Sequence, residues 1–221
     1  MPLLVDAEQT WLQPAIDGIV LNLSRTHNRE HPIVYNTFQM YLKDSRERLD
    51  QYIAVADKEG HVPCVKLVRG AYMQSEEERC KENGRPYPVH ESIEATHACY
   101  DDAAHMLIDR LDTCGVLIAS HNQSTVEQAV EKLLDQGHRS DHPRIAFGQL
   151  YGMADHLSFA LGSNSFNICK YVPFGPIREV IPYLTRRLEE NASILGGTPY
   201  ERSLLWKELK RRRVGFSITH N

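Results

Sequence analysis

Short apolar runs alternate along this chain with longer stretches in which apolar residues recur every three or four positions. The first pattern marks a buried strand and the second an amphipathic helix. Pro2–Glu8 reads as a strand ending in Asp6-Ala7-Glu8. The helix after it is Gln9–Ser24, with apolar residues at 12, 15, 16, 19, 20 and 23. Ile33–Leu42 is a second strand, carrying Asn36, Thr37 and Gln39. Asp44 stands as N-cap to a helix over Ser45–Lys58 that stops at Gly60. Pro63–Val68 is a third strand. Gly70 follows almost at once, where the backbone must bend or approach something closely. Residues 73–89 are polar, without apolar periodicity, and read as a surface insertion. Further on come a helix over Ser92–Asp112, a strand over Gly115–Ala119, a helix over Thr125–Gln136 closed by Gly137, and a strand over Arg144–Leu150. A short helix, Asp155–Leu161, stops at Gly162. A sixth strand, Asn167–Val172, precedes a helix over Pro176–Asn191. Pro182 lies inside that helix and predicts a kink or two abutting helices. Pro199–Arg213 is a last helix.

This is a β-α unit repeated about six times with no hairpin dipeptides, which predicts parallel strands joined by helical crossovers. Strand interiors are apolar and their carboxyl ends polar: Asp6, Gln39, Arg69 with Tyr72, His121 with Asn122, Gln149 and Tyr171. A (β/α)8 TIM-type barrel has that layout, its site built from the loops after the strands. An open doubly wound sheet is the alternative. It would place a glycine-rich phosphate loop after the first strand and gather polar residues at one switch point, and neither is seen. Eight units make a barrel and about six are counted, with the chain entering a strand almost at once. The expectation is therefore an incomplete barrel lacking two N-terminal units.

The charge of −4 over 221 residues carries no nucleic-acid footprint. No run of about 18 apolar residues occurs, so no transmembrane helix is expected, and no leader or transit peptide is evident at the start. The five cysteines lack metal-site spacing and read as free thiols in a reducing compartment. His27 and His31 lie four apart in a polar loop and read as solvated.

Seven stretches carry a resemblance: Val5-Asp6-Ala7-Glu8, Asn36-Thr37-Phe38-Gln39, Lys66-Leu67-Val68-Arg69-Gly70-Ala71-Tyr72, Ala119-Ser120-His121-Asn122, Phe147–Met153, Lys170–Pro176 and Pro182–Asn191. In this order they resemble the mitochondrial proline dehydrogenases, FAD enzymes on a distorted (β/α)8 barrel. The resemblance covers roughly Leu4 to Arg212. It makes the chain the carboxyl-terminal part of the catalytic barrel domain, residues 1–221. It implies oxidation of L-proline to Δ1-pyrroline-5-carboxylate on the way to glutamate. Electrons would pass to ubiquinone on the matrix side of the mitochondrial inner membrane, where peripheral association is allowed. Family enzymes carry earlier strands, one with an active-site lysine, that nothing here matches.

Proline is a zwitterion, so its carboxylate calls for a planar cationic fork. The resemblance assigns Arg186 and Arg187 to that carboxylate, with Arg187 also near the flavin. It places Glu190 beside the flavin and the arginines, and makes Asp6 the carboxylate that pairs with one of them. Tyr72 and Tyr171 would wall the proline ring. The chain has Tyr-Val-Pro-Phe-Gly from Tyr171 onward, where hydroxyproline dehydrogenases resemble Ser-Ile-Pro-Tyr-Gly, so a bulky ring here favours proline. Lys66 would sit near the flavin N5 side, with Gln39, His121 and Gln149 on its isoalloxazine and phosphoryl parts. Three competing readings stand beside this one. The arginines could lie on a solvated helix face with Arg186 and Glu190 as an i,i+4 pair. The whole could be an inactive barrel fragment serving as an interaction or regulatory subunit. A Schiff-base lyase could use Lys66 or Lys170.

Overall fold

The computed structural model describes residues 1–192, without the side chains of 186–192, and residues 202, 203, 206, 207, 209 and 210. Among these lie six strands: β1 (Leu3–Val5), β2 (Val34–Gln39), β3 (Cys64–Val68), β4 (Gly115–Ala119), β5 (Ile145–Leu150) and β6 (Ile168–Tyr171). The helices are α1 (Gln13–His27), α2 (Ser45–Glu59), α3 (Met73–Asn83), α4 (Ile93–Ile108), α5 (Gln123–Asp135), α6 (Asp155–Ser163) and α7 (Ile177–Ala192). The strands form one parallel sheet in chain order, β1 to β6. A doubly wound sheet would reverse its order partway, so the barrel expectation holds.

The sheet is curled. Lys66 on β3 pairs with Asp6 beyond β1, and its Nζ also lies 5.8 Å from the ring centre of Tyr171 on β6. In a flat sheet β3 and β6 would be three strand spacings, about 14 Å, apart, with side chains standing perpendicular to it. Only a concave face brings them together. Six strands are curled into an incomplete barrel, with β1 and β6 as its edges among the described residues.

Strand alternation divides the two faces. Asn36, Val65, Val116 and Ile145 are in register, as are Phe38, Leu67, Ile118, Phe147 and Ile168. These turn outward and form the main core with Leu49, Ile53, Tyr100, Leu107, Leu111 and Leu133 from the helical layer. Asn36 is polar on this face because Asp17 of α1 accepts from its amide at 3.0 Å, and Asp17 also accepts from Arg48 at 2.6 Å. The alternate register, Thr37, Lys66, Leu117 and Ala146, turns inward. At the amino ends of the strands, buried Asn28 ties β2 to β3. Its amide donates to the Val34 and Val62 carbonyls, and its Oδ1 accepts from the Ile33 and Val34 N–H groups. All five cysteines are free thiols.

Several boundaries differ from the sequence reading, each for a local reason. β1 stops at Val5, so Asp6 lies just beyond a strand rather than within one. A turn over Gln9–Leu12 delays α1 to Gln13, where Pro14 suits the first turn. Asp44 stands at the start of α2 without a side-chain cap. The Ser45 hydroxyl instead donates to the Gln39 carbonyl, and α2 closes at left-handed Gly60. α4 ends at Ile108, four residues early, and gives way to tight turns through Cys114. α6 passes through Gly162 to Ser163. α7 is one helix with Pro182 inside it. The largest correction concerns the polar stretch after Tyr72, which contains the eleven-residue helix α3. Periodicity missed it because α3 has no apolar face to show. The expected last helix falls largely outside the described residues.

Gly70 is the bend after β3. Its φ is +143°, and a Cβ there would lie 2.2 Å from Cδ1 of the Tyr41 ring. Gly70→Ala should cost on the order of 3 kcal/mol, combining backbone strain with a forced displacement of a buried ring. Denaturant titration of Gly70→Ala, Tyr41→Leu and the double variant checks this. The double variant should recover part of the loss, and strict additivity would show that the ring is not the obstacle.

Candidate active site

The sequence-predicted groups Asp6, Gln39, Lys66 and Tyr171 share the inner face, from the middle of the strands to their carboxyl ends. Lys66 is the central group. Its side chain is 11% exposed, it meets the Asp6 carboxylate, and its ammonium faces the Tyr171 ring. Among the described residues Asp6 pairs with Lys66; the side chains of the arginines that the sequence reading gave it lie outside them. Beside Lys66, the Gln39 amide donates to the Glu8 carbonyl at 2.8 Å, and the Thr37 hydroxyl donates to the Val5 carbonyl at 2.7 Å. These contacts fix the segment that holds Asp6. Toward β5 and β6, Ala119, Gly148 and Cys169 are in register on this face, with the Leu117 side chain against Gly148. Asp6 and Tyr171 thus both gather at Lys66 on the concave face.

Tyr171 is 43% exposed and packs against Tyr183 of α7, ring centres 5.8 Å apart. This contact lays α7 against the end of β6. The side chains of Arg186, Arg187 and Glu190 lie outside the described residues. Tyr72 is half-buried directly before α3, and its carbonyl accepts from the Glu76 N–H at 2.9 Å.

His121 and Gln149 have defined structural partners. The Leu150 N–H donates to His121 Nε2 at 3.0 Å, tying the loop after β4 to the end of β5. With Nε2 accepting, the ring proton resides on Nδ1, which leaves one donor for a ligand. Gln149 follows Phe147 outward by strand alternation. Its amide donates to the Ser120 carbonyl at 3.3 Å and accepts from the Ser158 hydroxyl at 3.1 Å. It braces β4 and α6 and does not share the concave face with Lys66. Lys170 alternates outward too, held by Asp155 at 2.8 Å and by the Met153 carbonyl at 2.6 Å. Both lysines considered for a Schiff base thus have carboxylate partners, and neither is presented as a free amine.

Arg69, three residues beyond Lys66, points the other way. Its guanidinium donates to His97 Nδ1 at 2.8 Å, Ser120 Oγ at 2.9 Å and Thr125 Oγ1 at 2.8 Å, and it stacks 4.4 Å over Tyr100. It clamps β3 to α4 and α5. Two cations at one strand end thus have opposite roles, decided by which side of the sheet each faces. Sequence reasoning also missed Glu76 and Thr10. The Glu76 carboxylate accepts from the Thr10 N–H at 2.6 Å and from its hydroxyl at 2.7 Å. A glutamate four residues after Tyr72 was the available signal, hidden in an acidic run.

Burial, with the Lys170 cation nearby, pushes the His121 imidazole down to about 4 from its ordinary 6.5. The folded protein therefore binds fewer protons than the unfolded chain between those values. The stability this represents is complete above about pH 6.5 and is lost as pH falls toward 4, a total of up to about 3 kcal/mol. His121→Gln keeps an acceptor for the Leu150 N–H but cannot titrate. Chemical denaturation from pH 7 to pH 4 should show a shallower stability loss in the variant, and equal slopes would remove His121 as the source.

The chain was compared with known proteins. The family described as proline dehydrogenase matches residues 1–198. Human mitochondrial proline dehydrogenase 1 is 44% identical over 99% of this chain and 37% of its own length. Its Arabidopsis thaliana counterpart is 43% identical over 97% and 44%. A Bos taurus hydroxyproline dehydrogenase is 41% identical over 96% and 48%. The chain thus spans less than half the length of these relatives. A crystal structure of proline utilization A from Bdellovibrio bacteriovorus superposes with a TM-score of 0.79 at 26% identity, covering 86% of this chain and 20% of that one. With six parallel strands in barrel order and this match across nearly its whole length, the chain belongs to the proline dehydrogenase family.

Proposed function

We propose that these residues are the carboxyl-terminal part of a catalytic barrel domain that oxidises L-proline to Δ1-pyrroline-5-carboxylate with FAD. Ubiquinone would take the electrons, in the mitochondrion, as the names of the human and Arabidopsis relatives suggest. The observation that carries this reading is the convergence of Asp6 and Tyr171 on Lys66 at the concave face of the sheet. The donor set suits a flavin: an ammonium group on the Lys66 side, the Gln39 amide, and the Nδ1–H of His121. When bound, the flavin supplies the hydride acceptor. The chain's own residues bind and orient. Arg186 and Arg187 follow Tyr183 by three and four positions along α7, the spacing that shares a helix face. Tyr183 of that helix packs against Tyr171, and by family likeness both arginines suit the proline carboxylate, with Glu190 one turn beyond Arg186. Tyr171 and Tyr72 wall the proline ring and exclude water from it. Asp6 fixes the Lys66 ammonium, and the Gln39–Glu8 and Thr37–Val5 bonds fix Asp6. A second reading, an interaction subunit without activity, is favoured by the unpaired outer edges of β1 and β6 among the described residues.

The test is anaerobic addition of L-proline to the purified full protein. Bleaching of a flavin absorption band supports the oxidase reading, and a colourless protein supports the second one. Within the first reading, Arg186→Met or Arg187→Met should raise the KM for proline more than tenfold, since a charge-assisted contact is worth about 1.5–3 kcal/mol. Unchanged kinetics in both would remove the carboxylate assignment. Tyr171→Ser should shift the ratio of kcat/KM values toward 4-hydroxyproline by opening room for its hydroxyl. A constant ratio would mean that another residue sets ring specificity.

A further inference from the structure

Residues 70–90 leave the barrel and return to it at nearly the same place. The departure is Gly70, pressed against the ring of Tyr41. The return is Tyr87–His90, where Leu42 bridges Val89, the Lys43 N–H donates to the Pro88 carbonyl, and the His90 N–H donates to the Tyr41 carbonyl. Between these anchors runs α3, whose sole buried residue is Glu76, 1% exposed. A helix ordinarily holds its place by an apolar stripe. This one holds it with a carboxylate that grips Thr10 through both oxygens. One turn later Arg79 stacks 4.3 Å over the ring of Trp11. Thr10 and Trp11 belong to the loop after β1, so the two contacts span the end of β2 between them. Buried Tyr41 lies beneath, its phenol pushed up by burial and, next, by the nearby Glu76 charge.

We propose that α3 is a latched cover over the carboxyl ends of β1–β3, and that Glu76 is the positioning residue that closes it. This rests on the proposed function above. The geometry gives the latch a consequence at the site. Glu76 is bonded through its backbone to Tyr72 and through its side chain to the loop that carries Asp6 and Glu8. One carboxylate therefore sets the ring-walling tyrosine and the Lys66–Asp6 pair in a fixed relation. Without it, the described contacts of α3 are the Arg79–Trp11 stack, the Tyr87 hydroxyl on the Met73 carbonyl and its two end anchors. The Tyr72 turn and the Asp6–Thr10 segment would then lose the carboxylate they share, while the sheet and helical core stay intact.

The test uses the full protein with Glu76→Ala, with Glu76→Gln (which keeps one neutral acceptor for Thr10) and with Thr10→Val as the reciprocal change. Amide hydrogen exchange is followed at residues 73–83 and 7–12, with β3 and β4 as internal controls. Glu76→Ala should speed exchange in both segments roughly tenfold or more, as expected for losing charge-assisted bonds, with the controls unchanged. Glu76→Gln and Thr10→Val should fall between. Kinetically, all three should raise the KM for proline more than they lower kcat. Proline should slow exchange at 73–83 in the wild type and not in Glu76→Ala. Unchanged exchange in the Gln and Val variants overturns the latch, and faster exchange with unaltered KM overturns its positioning role. If the wild type does not oxidise proline, the functional reading fails, while the exchange comparison still decides whether Glu76 latches α3.

Discussion

A single ammonium group on the concave side of the sheet is the constraint around which this molecule is arranged. Lys66 projects from the middle of β3, on a face where its strand neighbours are Thr37 and Leu117, and its charge must be met there. The Asp6 carboxylate meets it, so β1 must end where it does and the sheet must curl enough for the two to touch. Tyr171 approaches from the far edge and offers its ring face to the same cation. Removing Asp6 would leave the Lys66 ammonium, only 11% exposed, without its carboxylate, which destabilises it. The same contact that holds the curl is therefore the one around which a ligand would be seated.

The outer face does the opposite work. Its apolar registers bury against α2, α4, α5 and α6, and polar groups on that side are consumed internally. Asn36 is answered by Asp17, Arg69 by His97, Ser120 and Thr125, and Gln149 by Ser120 and Ser158. Buried polar groups need partners, and each of these has one. A polar residue near a strand end is thus not by itself a site residue. Its parity along the strand decides between brace and site.

The excursion between Gly70 and His90 obeys a third rule. Its return is anchored by Val89 and Tyr87 against Tyr41 and Leu42, but α3 itself buries no apolar residue, so the helix depends on a few polar and aromatic contacts with the loop after β1. Contacts of that kind can be made and broken at modest cost, unlike those of a packed helix. Such a segment suits the rim of a site that must admit and enclose a small molecule.

The sequence alone determined the β-α alternation, the parallel barrel order and most element positions, because 3.6-residue and short-run apolar patterns report which side of each element is buried. It also determined the family, since seven local stretches in fixed order survive without any knowledge of their spatial relation. It located Gly70 as a forced bend, but not the Tyr41 ring that makes the bend obligatory. It did not reveal α3, whose stability comes from a carboxylate on a distant loop rather than from periodicity. Nor could it tell Lys66 from Arg69, or Gln39 from Gln149. Each of those pairs looks equivalent in composition and motif, and only the pairing register decides which side chain faces inward. The partner of Asp6 was decided by curvature, a property of all six strands together. Local sequence encodes burial; which charges meet across the concave face is set by the assembled sheet.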